Sequence, residues 1–411
     1  MKVCVVGSGG REHALAVVLG RTADVVVTPG NAGIPGSVDT PPEDVDADLF
    51  VIGPEAPLVD GLADRLRAAG RLVYGPGADG ARLEGSKAWM KEVVAAAGVP
   101  TARYGDFDDV DEAIAFLDTL PGGPDGGYVV KTDGLAAGKG VFVTTDRTEA
   151  EADIRDKLAG TSFGEAGRRV VIEERMVGPE LSVLAVCDGQ RAVALAPAQD
   201  YKRVGDGDAG PNTGGMGCYS PVPAADDTVV QTVLDDFVTP TLVELRRRGV
   251  DYRGTLYAGL MLTAAGPKLV EYNARFGDPE SQVVLPRLTS DLAQLLAEAA
   301  AGELRSEPTF TDDACVAVAL AAEGYPASTR TGDVIAGLDR LDDLDGVQVF
   351  FAGVAAGEAP GALVTAGGRV LYVCGTASTI EQARALAYQG VARISWPGMH
   401  HRSDIAAHPT A

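Results

Sequence analysis

Histidine is scarce in this 411-residue chain. There are four histidines, and three of them, His400, His401 and His408, lie in the last 12 residues. A Ser–His or Cys–His nucleophile would have to use His13 or the tail, so hydrolase chemistry of that kind is not expected. A histidine-rich zinc site is equally hard to assemble. Any metal should therefore be held by oxygen ligands, which favours Mg²⁺ or Mn²⁺.

Paired cysteines and long apolar runs are also missing. The five cysteines are scattered without a CxxC pair, and most lie inside apolar runs, which is typical of buried thiols in a reducing compartment. No apolar run approaches the ~20 residues that span a bilayer. The N-terminus enters a strand-like segment without a signal-peptide pattern. These features predict a cytoplasmic protein.

Positive charge is in short supply. The formal net charge is −23 and the isoelectric point is about 4.5, so the surface should repel nucleic acid and anionic membranes. Only eight lysines accompany 27 arginines. Lys87, Lys131, Lys139 and Lys202 all fall in glycine-rich or polar segments. A compact ammonium group suits a phosphate, so these lysines are candidate phosphate ligands.

At 411 residues the chain is too long for one ordinary hydrophobic core and should hold two to four domains. Strand-like and helix-like segments alternate over residues 1–75, which indicates a parallel α/β domain. Residues 85–100 read as a helix with Ser86 as N-cap. Residues 200–221 are polar and glycine-rich, as expected of a long functional loop. From about residue 311 the pattern indicates a small mixed α/β domain.

The N-terminal GSGGRE places Gly7, Gly9 and Gly10 between a strand and a helix, where backbone N–H groups can bind phosphate. A dinucleotide fingerprint would need glycine where Glu12 stands. The second strand also lacks the acidic residue that holds a ribose. A phosphate site is favoured over NAD, and a tight turn without a ligand is the alternative.

The segment VVKTDGLAAGKGVFVTT (129–145) is not a Walker loop. Only three residues separate Gly134 from Gly138, Gly140 follows Lys139, and a strand follows instead of a helix. The spacing predicts a flexible flap between two antiparallel strands, with Lys131 directed towards whatever the flap covers. A bare hairpin turn is the alternative.

Glu271 and Asn273 are spaced i, i+2 on a predicted strand, so both should face the same side. Two oxygen donors on one face suit a divalent ion that bridges phosphates. Arg275 follows at the strand end, where a guanidinium could bind a carboxylate. The segment VVIEERMVGPE ends another strand in two carboxylates, and an adenosine pocket and an ordinary exposed strand end both remain open for it.

Taken together, GSGGREHAL, PGNAG, GPEAPL, GSKA, KTDGLAAGKGV, VIEE, QDYKRVGDGDAGPNTGGMGCYSP, EYNARFGDPESQ and GGRVLYV resemble the phosphoribosylamine–glycine ligases of the ATP-grasp superfamily. The resemblance runs in order from Met1 to about Ile405. It implies an α/β and α+β multidomain fold: an N-terminal parallel α/β domain (1–100), a two-lobed ATP-grasp domain (101–310, mobile lobe about 110–180) and a C-terminal mixed α/β domain (311–411). It implies a monomer or weak dimer that acts on small molecules.

The resemblance also implies site residues for ATP, glycine, phosphoribosylamine and Mg²⁺ or Mn²⁺. Catalytic residues would be Lys131, Lys139 and Arg275, and metal ligands would be Glu271 and Asn273. Nucleotide contacts would come from Lys87, Lys131, Gly134, Gly138, Gly140, Glu173, Glu174, Val177 and Glu180. The other two substrates would contact Gly7, Gly9, Gly10, Arg11, Glu12, Pro54, Glu55, Asp200, Lys202, Asn212, Thr213, Gly214, Gly215, Arg275, Gly277 and Asp278.

The chain departs from the family pattern at a few positions beside these residues, namely Thr132, Tyr272, Phe351, Val354, Ala366 and Ala406. Most of them, namely Phe351, Val354, Ala366 and Ala406, lie in the C-terminal domain. Two other functions stay open at this point: an ATP-grasp ligase or carboxylase with another acceptor, and a non-enzymatic sensor of nucleotides or phosphosugars. Which of Lys131 and Lys139 contacts the γ-phosphate also stays open.

Overall fold

The first strands of the chain form a parallel sheet in the order β2-β1-β3-β4. The computed structural model describes residues 1–123, 126–135, 140–160 and 168–410. The parallel α/β arrangement expected here is confirmed. Its elements are β1 (Lys2–Gly7), α1 (Gly10–Leu19), β2 (Asp24–Pro29), β3 (Leu49–Ile52), α2 (Glu55–Val59), α3 (Leu62–Ala68), β4 (Val73–Tyr74) and α4 (Ala78–Gly85).

Helix α5 (Lys87–Ala97) leads from this sheet into the next part of the chain. Its N-cap is Ser86, as predicted, because the Ser86 hydroxyl accepts a hydrogen bond from Trp89 N at 3.2 Å. The helix ends at Gly98, whose φ of 71° lies in the left-handed region.

A small antiparallel sheet, in the order β5-β8-β6-β7, carries two helices on its apolar face. The predicted antiparallel strands around the flap are thus confirmed as β6 and β7. Flap residues 136–139, which include Gly138 and Lys139, lie outside the described residues. The elements are β5 (Tyr104–Phe107), α6 (Val110–Leu117), β6 (Tyr128–Thr132), β7 (Val141–Thr144), α7 (Arg147–Leu158) and β8 (Val170–Glu174).

A second antiparallel sheet, β10-β9-β15-β16, faces this lobe. The predicted hairpin is formed by β9 (Glu180–Asp188) and β10 (Ala192–Ala194). Strands β15 (Arg253–Thr263) and β16 (Gly266–Asn273) follow. The helices of this part of the chain are α8 (Asp227–Val233), a π-helical turn (Leu234–Val238), α9 (Thr239–Arg247), α10 (Ser281–Val284) and α11 (Leu292–Ala301).

The C-terminal sheet has the order β11-β14-β17-β21-β18. It consists of β11 (Gln199–Asp200), β14 (Gly217–Ser220), β17 (Ala314–Ala321), β18 (Val347–Phe351) and β21 (Arg369–Ala377), and α12 (Ile380–Val391) packs against it. Two short ribbons complete this region: β12 (Arg203–Gly205) with β13 (Ala209–Asn212), and β19 (Val354–Ala356) with β20 (Leu363–Thr365).

The expectation of one long loop over residues 200–221 is therefore wrong in part. Two neighbouring strands of the C-terminal sheet, the edge strand β11 and the interior strand β14, come from this segment. Strand β14 is fully buried and pairs antiparallel with β17 from Gly217 opposite Val318 to Ser220 opposite Cys315. Its backbone groups are satisfied by a partner strand distant in sequence, which local composition does not reveal.

Among the described residues, no helix is both long and apolar enough to cross a membrane. The five cysteines are all buried and unpaired.

Two departures from the family pattern have visible structural consequences. The Tyr272 hydroxyl lies 2.9 Å from the Thr241 hydroxyl and donates to Phe237 O at 2.8 Å, so it ties β16 to the π-helical turn. Ala406 has a φ of 53°, in the region that favours glycine. Its methyl group should cost on the order of 1 kcal/mol there.

The N-terminal and C-terminal parts of the chain meet at His13. Its Nδ1 accepts a hydrogen bond from Phe351 N at 2.9 Å, and its ring stacks on the Phe351 ring. Asn31 Nδ2 donates to the carbonyls of Ser8 and Ala352 at 2.8 and 3.0 Å. Burial lowers the pKa of His13 to about 4 from the ordinary 6.5, so the imidazole at this interface is neutral.

This interface predicts sensitivity to acid. The unfolded chain should protonate His13 near pH 6.5 and the folded chain only near pH 4, so the free energy of unfolding falls as pH drops between these values. In His13→Asn, the Asn oxygen can replace Nδ1 as acceptor without titrating. Between pH 6.5 and pH 4, the free energy of unfolding should therefore fall by about 2–3 kcal/mol less in this variant than in the parent. Urea denaturation at a series of pH values measures this difference. An unchanged pH slope would contradict this role of His13.

Candidate active site

Strand β16 presents Glu271 and Asn273 on one face, as the i, i+2 spacing predicts. Glu271 is half-buried and lies within electrostatic range of Lys202, Lys131, Lys87 and Arg275. Burial alone would raise the pKa of Glu271, but these cations together hold it below its ordinary value. An ionised carboxylate surrounded by three lysines and an arginine thus lies near the end of β16, and we call the space between β16 and these cations the cleft.

Lys131, on β6, is almost completely buried. Its Nζ lies 2.8 Å from Glu173 Oε1 and donates to Val270 O, next to Glu271, at 3.0 Å. Glu173 is 2% exposed, and the same oxygen lies 3.2 Å from Nζ of Lys91 on α5. Lys131 and Lys91 hold the pKa of Glu173 below its ordinary value, although burial by itself would raise it.

The described ends of the flap are fixed to neighbouring backbone. Asp133 accepts hydrogen bonds from Ala88 N at 3.2 Å and from the Ser86 hydroxyl at 3.3 Å. Lys87 Nζ donates to Gly134 O at 3.1 Å. On the other side, Thr132 N donates to Gly140 O at 2.9 Å. These bonds hold the start of the flap against the N-terminus of α5.

Arg275 lies between two carboxylates. Its NH2 is 2.7 Å from Glu84 Oε1, and its Nε is 3.5 Å from Glu55 Oε2. NH2 also donates to Asn273 Oδ1 at 3.3 Å. Glu84 additionally accepts a hydrogen bond from Ala274 N at 2.8 Å, so it fixes both the backbone and the guanidinium at the end of β16. Although burial opposes the charge, these carboxylates raise the pKa of Arg275.

A second group of charges surrounds Asp200. Its Oδ1 is buried without a hydrogen-bond partner. Burial and the nearby Glu280 and Glu180 raise the pKa of Asp200 to about 7, against the opposing effect of Lys202. Glu280 is buried and accepts hydrogen bonds from the hydroxyls of Tyr257 at 2.9 Å and Ser182 at 3.2 Å. The carboxylates outnumber the single ammonium group, which pairs with Glu180.

The residues predicted to line an adenosine pocket lie in different environments. Glu174, at the end of β8, accepts hydrogen bonds from Arg103 N at 3.1 Å and Lys268 Nζ at 3.2 Å. Val177 is 56% exposed, which is high for a large apolar side chain. Glu180 is paired with Lys202.

In the GSGGRE turn, several polar groups form hydrogen bonds with one another. Glu12 is 1% exposed and accepts hydrogen bonds from Gly9 N and from Arg11 Nε, both at 2.6 Å. A Cβ at Gly7 or Gly53 would lie within 2.5 Å of Glu12, so these glycines are required by its close approach. Glu12 therefore organises the turn before Gly10, the first residue of α1.

The turn borders the cluster around Arg275. Arg11 NH1 donates to Phe276 O at 3.2 Å and lies 4.0 Å from Glu55, which follows Pro54 at the start of α2. Gly277 is packed against Glu280, since a Cβ there would lie 2.2 Å from its carboxylate.

A cavity of about 300 Å³ opens between this turn and the C-terminal sheet, lined by Ser8, Gly9, Asp278, Tyr325, Ala352, Gly353, Gly368, Arg369 and Tyr372. Arg369 NH1 donates to the carbonyls of Asp278 at 3.0 Å and Gly215 at 3.2 Å. The nearby charges of Arg369 and Arg11 hold the pKa of Asp278 below its ordinary value despite burial.

The segment Asn212–Gly215 is held from both sides. Thr213 N and its hydroxyl both donate to Lys202 O, at 2.7 and 2.8 Å. Gly215 N donates to the Thr213 hydroxyl at 3.0 Å, and Gly214 N donates to the Tyr325 hydroxyl at 3.1 Å. The predicted substrate segment is thus connected to the C-terminal part of the chain.

The structure adds polar residues that the motifs did not reveal. Glu84 and Lys91 contact the predicted site residues from helices α4 and α5, and Arg369 contacts them from β21. Glu280 was visible as the last residue of RFGDPE, but its burial against Tyr257 was not. The signal for Lys91 was its spacing of four residues from Lys87, which places both on one face of a helix.

Three family models cover nearly all of the chain. They describe the N domain (residues 1–84), the ATP-grasp (A) domain (85–281) and the C domain (315–408) of phosphoribosylglycinamide synthetase. The chain belongs to the phosphoribosylglycinamide synthetase family.

Individual relatives agree with this membership of the synthetase family. The chain is 47% identical to a phosphoribosylamine–glycine ligase of Caulobacter vibrioides, covering 98% of this chain and 97% of that protein. It is 47% identical to one of Streptomyces coelicolor, covering 99% of both. The crystal structure of phosphoribosylamine–glycine ligase from Thermotoga maritima superposes with a TM-score of 0.85 at 35% identity, covering 98% of this chain and 100% of that one.

More distant structures share the fold of the synthetase family. An N5-carboxyaminoimidazole ribonucleotide synthetase from Thermotoga maritima gives a TM-score of 0.65 at 15% identity, covering 96% of this chain and 99% of that one. A biotin carboxylase from Campylobacter jejuni gives 0.68 at 14%, covering 97% and 92%. The expected multidomain α/β and α+β fold with an ATP-grasp domain is confirmed.

The Glu84–Arg275 pair predicts a measurable coupling. Glu84→Ala leaves Ala274 N without its acceptor and Arg275 with a buried charge that lacks its nearest partner, which should cost about 3 kcal/mol of unfolding free energy. Glu84→Ala/Arg275→Leu should lose less than the sum of the two single losses. Urea denaturation of the four proteins measures this, and additive losses would contradict the coupling.

Proposed function

We infer that the chain joins glycine to 5-phosphoribosylamine at the expense of ATP, giving glycinamide ribonucleotide, ADP and phosphate. This is the second step of purine synthesis. The inference rests on the match over nearly the whole chain to ligases of that name. The lysine-lined carboxylate Glu271, beside Arg275, supports it as a place where a triphosphate and a carboxylate substrate could meet.

We propose that Lys87 and Lys131 bind the phosphates of ATP, with the flap from Gly134 to Gly140 closing over them and Gly138 and Lys139 taking part. The support is that Lys87 holds the base of the flap while Lys131 lies beside Glu271. Glu174, Val177 and Glu180 would bind the adenosine, and the exposed apolar surface of Val177 is suited to a purine ring.

The donors on β16 fit a divalent ion. No group of three or more His, Cys, Asp or Glu side chains is close enough to hold a metal in the part of the chain that the structure describes. The ionised Glu271 and the amide oxygen of Asn273, on one face, match a hard cation that takes its other ligands from phosphate and water. We propose Mg²⁺ or Mn²⁺ there, which would neutralise phosphate charge when bound.

We propose that glycine lies between two charged groups. Arg275 would bind its carboxylate, and the acidic group of Asp200 and Glu280 would bind its ammonium. The support is the buried, unpartnered Oδ1 of Asp200 and the excess of carboxylates over the single ammonium of Lys202. Asn212–Gly215, Gly277 and Asp278 would line the same place.

We propose that phosphoribosylamine binds at the N-terminal turn. The cavity of about 300 Å³ between that turn and the C-terminal sheet supports this, because the amide groups near Gly9 and Gly10 begin a helix. Gly7, Arg11, Pro54 and Glu55 would help to shape it. Glu12, being buried, would act by organising the turn.

The two chemical steps need positioning more than they need a nucleophilic side chain. A glycine carboxylate oxygen bonds to the γ-phosphorus as the bond to ADP breaks, giving glycyl phosphate. The phosphoribosylamine nitrogen then bonds to the glycyl carbon, phosphate leaves and the amine loses a proton. The cations beside Glu271 would stabilise the transferring phosphoryl group, and the closed flap would exclude water.

We propose that the chain is divided into three domains. They would span residues 1–100, residues 101–310 with a mobile lobe at about 110–180, and residues 311–411. The protein would be a cytoplasmic monomer or weak dimer that binds neither nucleic acid nor membranes, as its net charge of −23 supports.

The decisive test of this function is phosphate release from ATP with glycine and freshly made phosphoribosylamine. Omission of either substrate should reduce the rate to background, because the acyl phosphate needs glycine and its discharge needs the amine. A rate that does not depend on glycine would overturn the assignment in favour of another acceptor. Binding of ATP without any turnover would favour a sensor.

The metal proposal is tested by Glu271→Ala. Loss of the carboxylate should abolish turnover, since the ion would lose its charged protein ligand. Turnover is measured against Mg²⁺ and Mn²⁺ concentration, with thermal unfolding as the control for folding. Near-normal activity at saturating Mg²⁺ would remove Glu271 from the ligand set.

A further inference from the structure

Lys91 belongs to none of the motifs, yet it is fully buried beside the phosphate lysines. It follows Lys87 by one turn of α5 and is 0% exposed. Its Nζ lies 3.2 Å from Glu173 Oε1, donates to the Thr101 hydroxyl at 2.8 Å and lies 5.1 Å from the centre of the Tyr104 ring. An ammonium group so far from water requires compensation.

The compensation is incomplete, because one carboxylate serves two lysines. Glu173 Oε1 contacts Lys91 Nζ at 3.2 Å and Lys131 Nζ at 2.8 Å. These three groups in contact carry one more positive than negative charge, and the carboxylate of Glu271 acts on both lysines from a greater distance. Burial lowers the pKa of Lys91 to about 8 while Glu173 opposes this effect, so Lys91 is charged at neutral pH.

The same three residues connect the flap lobe to the strand that carries Glu271. Lys131 Nζ donates to Val270 O, and the Thr101 hydroxyl, which contacts Lys91, donates to Leu269 O at 2.7 Å. Lys131 is on β6 and Glu173 is on β8, both in the lobe, while Lys91 is on α5. These three charged residues therefore lie where the β5-β8-β6-β7 sheet contacts β16.

We propose that Lys91 is a positioning residue for the nucleotide: by sharing the Glu173 carboxylate, it leaves Lys131 with positive charge available to the ATP phosphates. Without Lys91, Glu173 would pair with Lys131 alone, and the neutral pair would attract a triphosphate less. This proposal rests on the proposed function, because it takes ATP as the ligand of Lys131.

The test compares binding of the ATP analogue AMP-PNP with Mg²⁺ by titration calorimetry. Lys91→Met keeps the length of the side chain but removes its charge, and its affinity for AMP-PNP should fall by roughly tenfold or more. The KM for glycine should stay within about twofold, because Arg275 and Asp200 lie outside this group of three charged residues. An AMP-PNP affinity within twofold of the parent overturns the proposal.

The double variant Lys91→Met/Glu173→Gln separates positioning from simple support of the fold. Removing the carboxylate releases Lys131, so this variant should bind AMP-PNP more tightly than Lys91→Met does. If Lys91 only supports the fold, the double variant should bind no better, and that result overturns the proposal. Where Lys91→Met does not fold, Lys91→Gln takes its place, because its amide is uncharged but can still form a hydrogen bond with the Thr101 hydroxyl. The same loss of affinity for AMP-PNP is expected, and an affinity within twofold of the parent counts against the proposal.

Lys157→Met is the matched control. Lys157 is a buried lysine of α7 in the same lobe, paired with Asp153. Its loss should leave AMP-PNP affinity unchanged, and a loss as large as that of Lys91→Met would overturn the specific role of Lys91. Failure of the parent protein to bind AMP-PNP at all would instead count against the proposed function.

Discussion

Several lysine side chains lie close together in a partly buried cleft, and keeping them there is the constraint on which the site depends. Lys87, Lys131 and Lys202 all act on Glu271, in a protein whose net charge is −23. Buried ammonium groups are costly unless carboxylates compensate them. Here Glu173 and Glu180 supply part of that compensation. The remaining positive potential is what a polyanion such as a triphosphate would meet.

The helices and strands around the cleft hold these lysines and carboxylates in place. The alternation of β16 directs Glu271 and Asn273 to the cleft, while the carbonyl of Val270 accepts a hydrogen bond from Lys131. Glu84 fixes Arg275 at the end of the same strand. The flap begins at Asp133, which is bonded to the first turn of α5. The described start of the flap is therefore anchored to α5, where Lys87 Nζ donates to Gly134 O.

The C-terminal sheet contributes to the site as well as to the fold. Arg369 donates hydrogen bonds to the carbonyls of Gly215 and Asp278, and the Tyr325 hydroxyl accepts one from the amide of Gly214. His13 and Asn31 join the N-terminal turn to the end of β18. The cavity of about 300 Å³ exists only because these parts of the chain meet. A phosphorylated substrate there would contact residues from both ends of the sequence.

Features that depend on near neighbours could be predicted from the sequence. The Ser86 cap, the antiparallel strands around the flap and the common face of Glu271 and Asn273 each follow from spacings of a few residues. The segment 200–221 was harder to predict, because its strand β14 is stabilised by pairing with β17, a strand that is distant in the sequence.

The roles of Lys91, Glu84 and Arg369 were decided only by the tertiary structure. Each contacts a residue of the candidate site that is distant in the sequence. Helix or strand periodicity predicts the direction of a side chain, but it does not predict which charged group will lie next to it. Local hydrogen bonds and strand alternation are set by adjacent residues and could therefore be predicted, and the resemblance of the motifs indicated the family and its reaction. The distribution of charge in the cleft is set by Coulomb interactions through space, and only the folded chain brings those charges together.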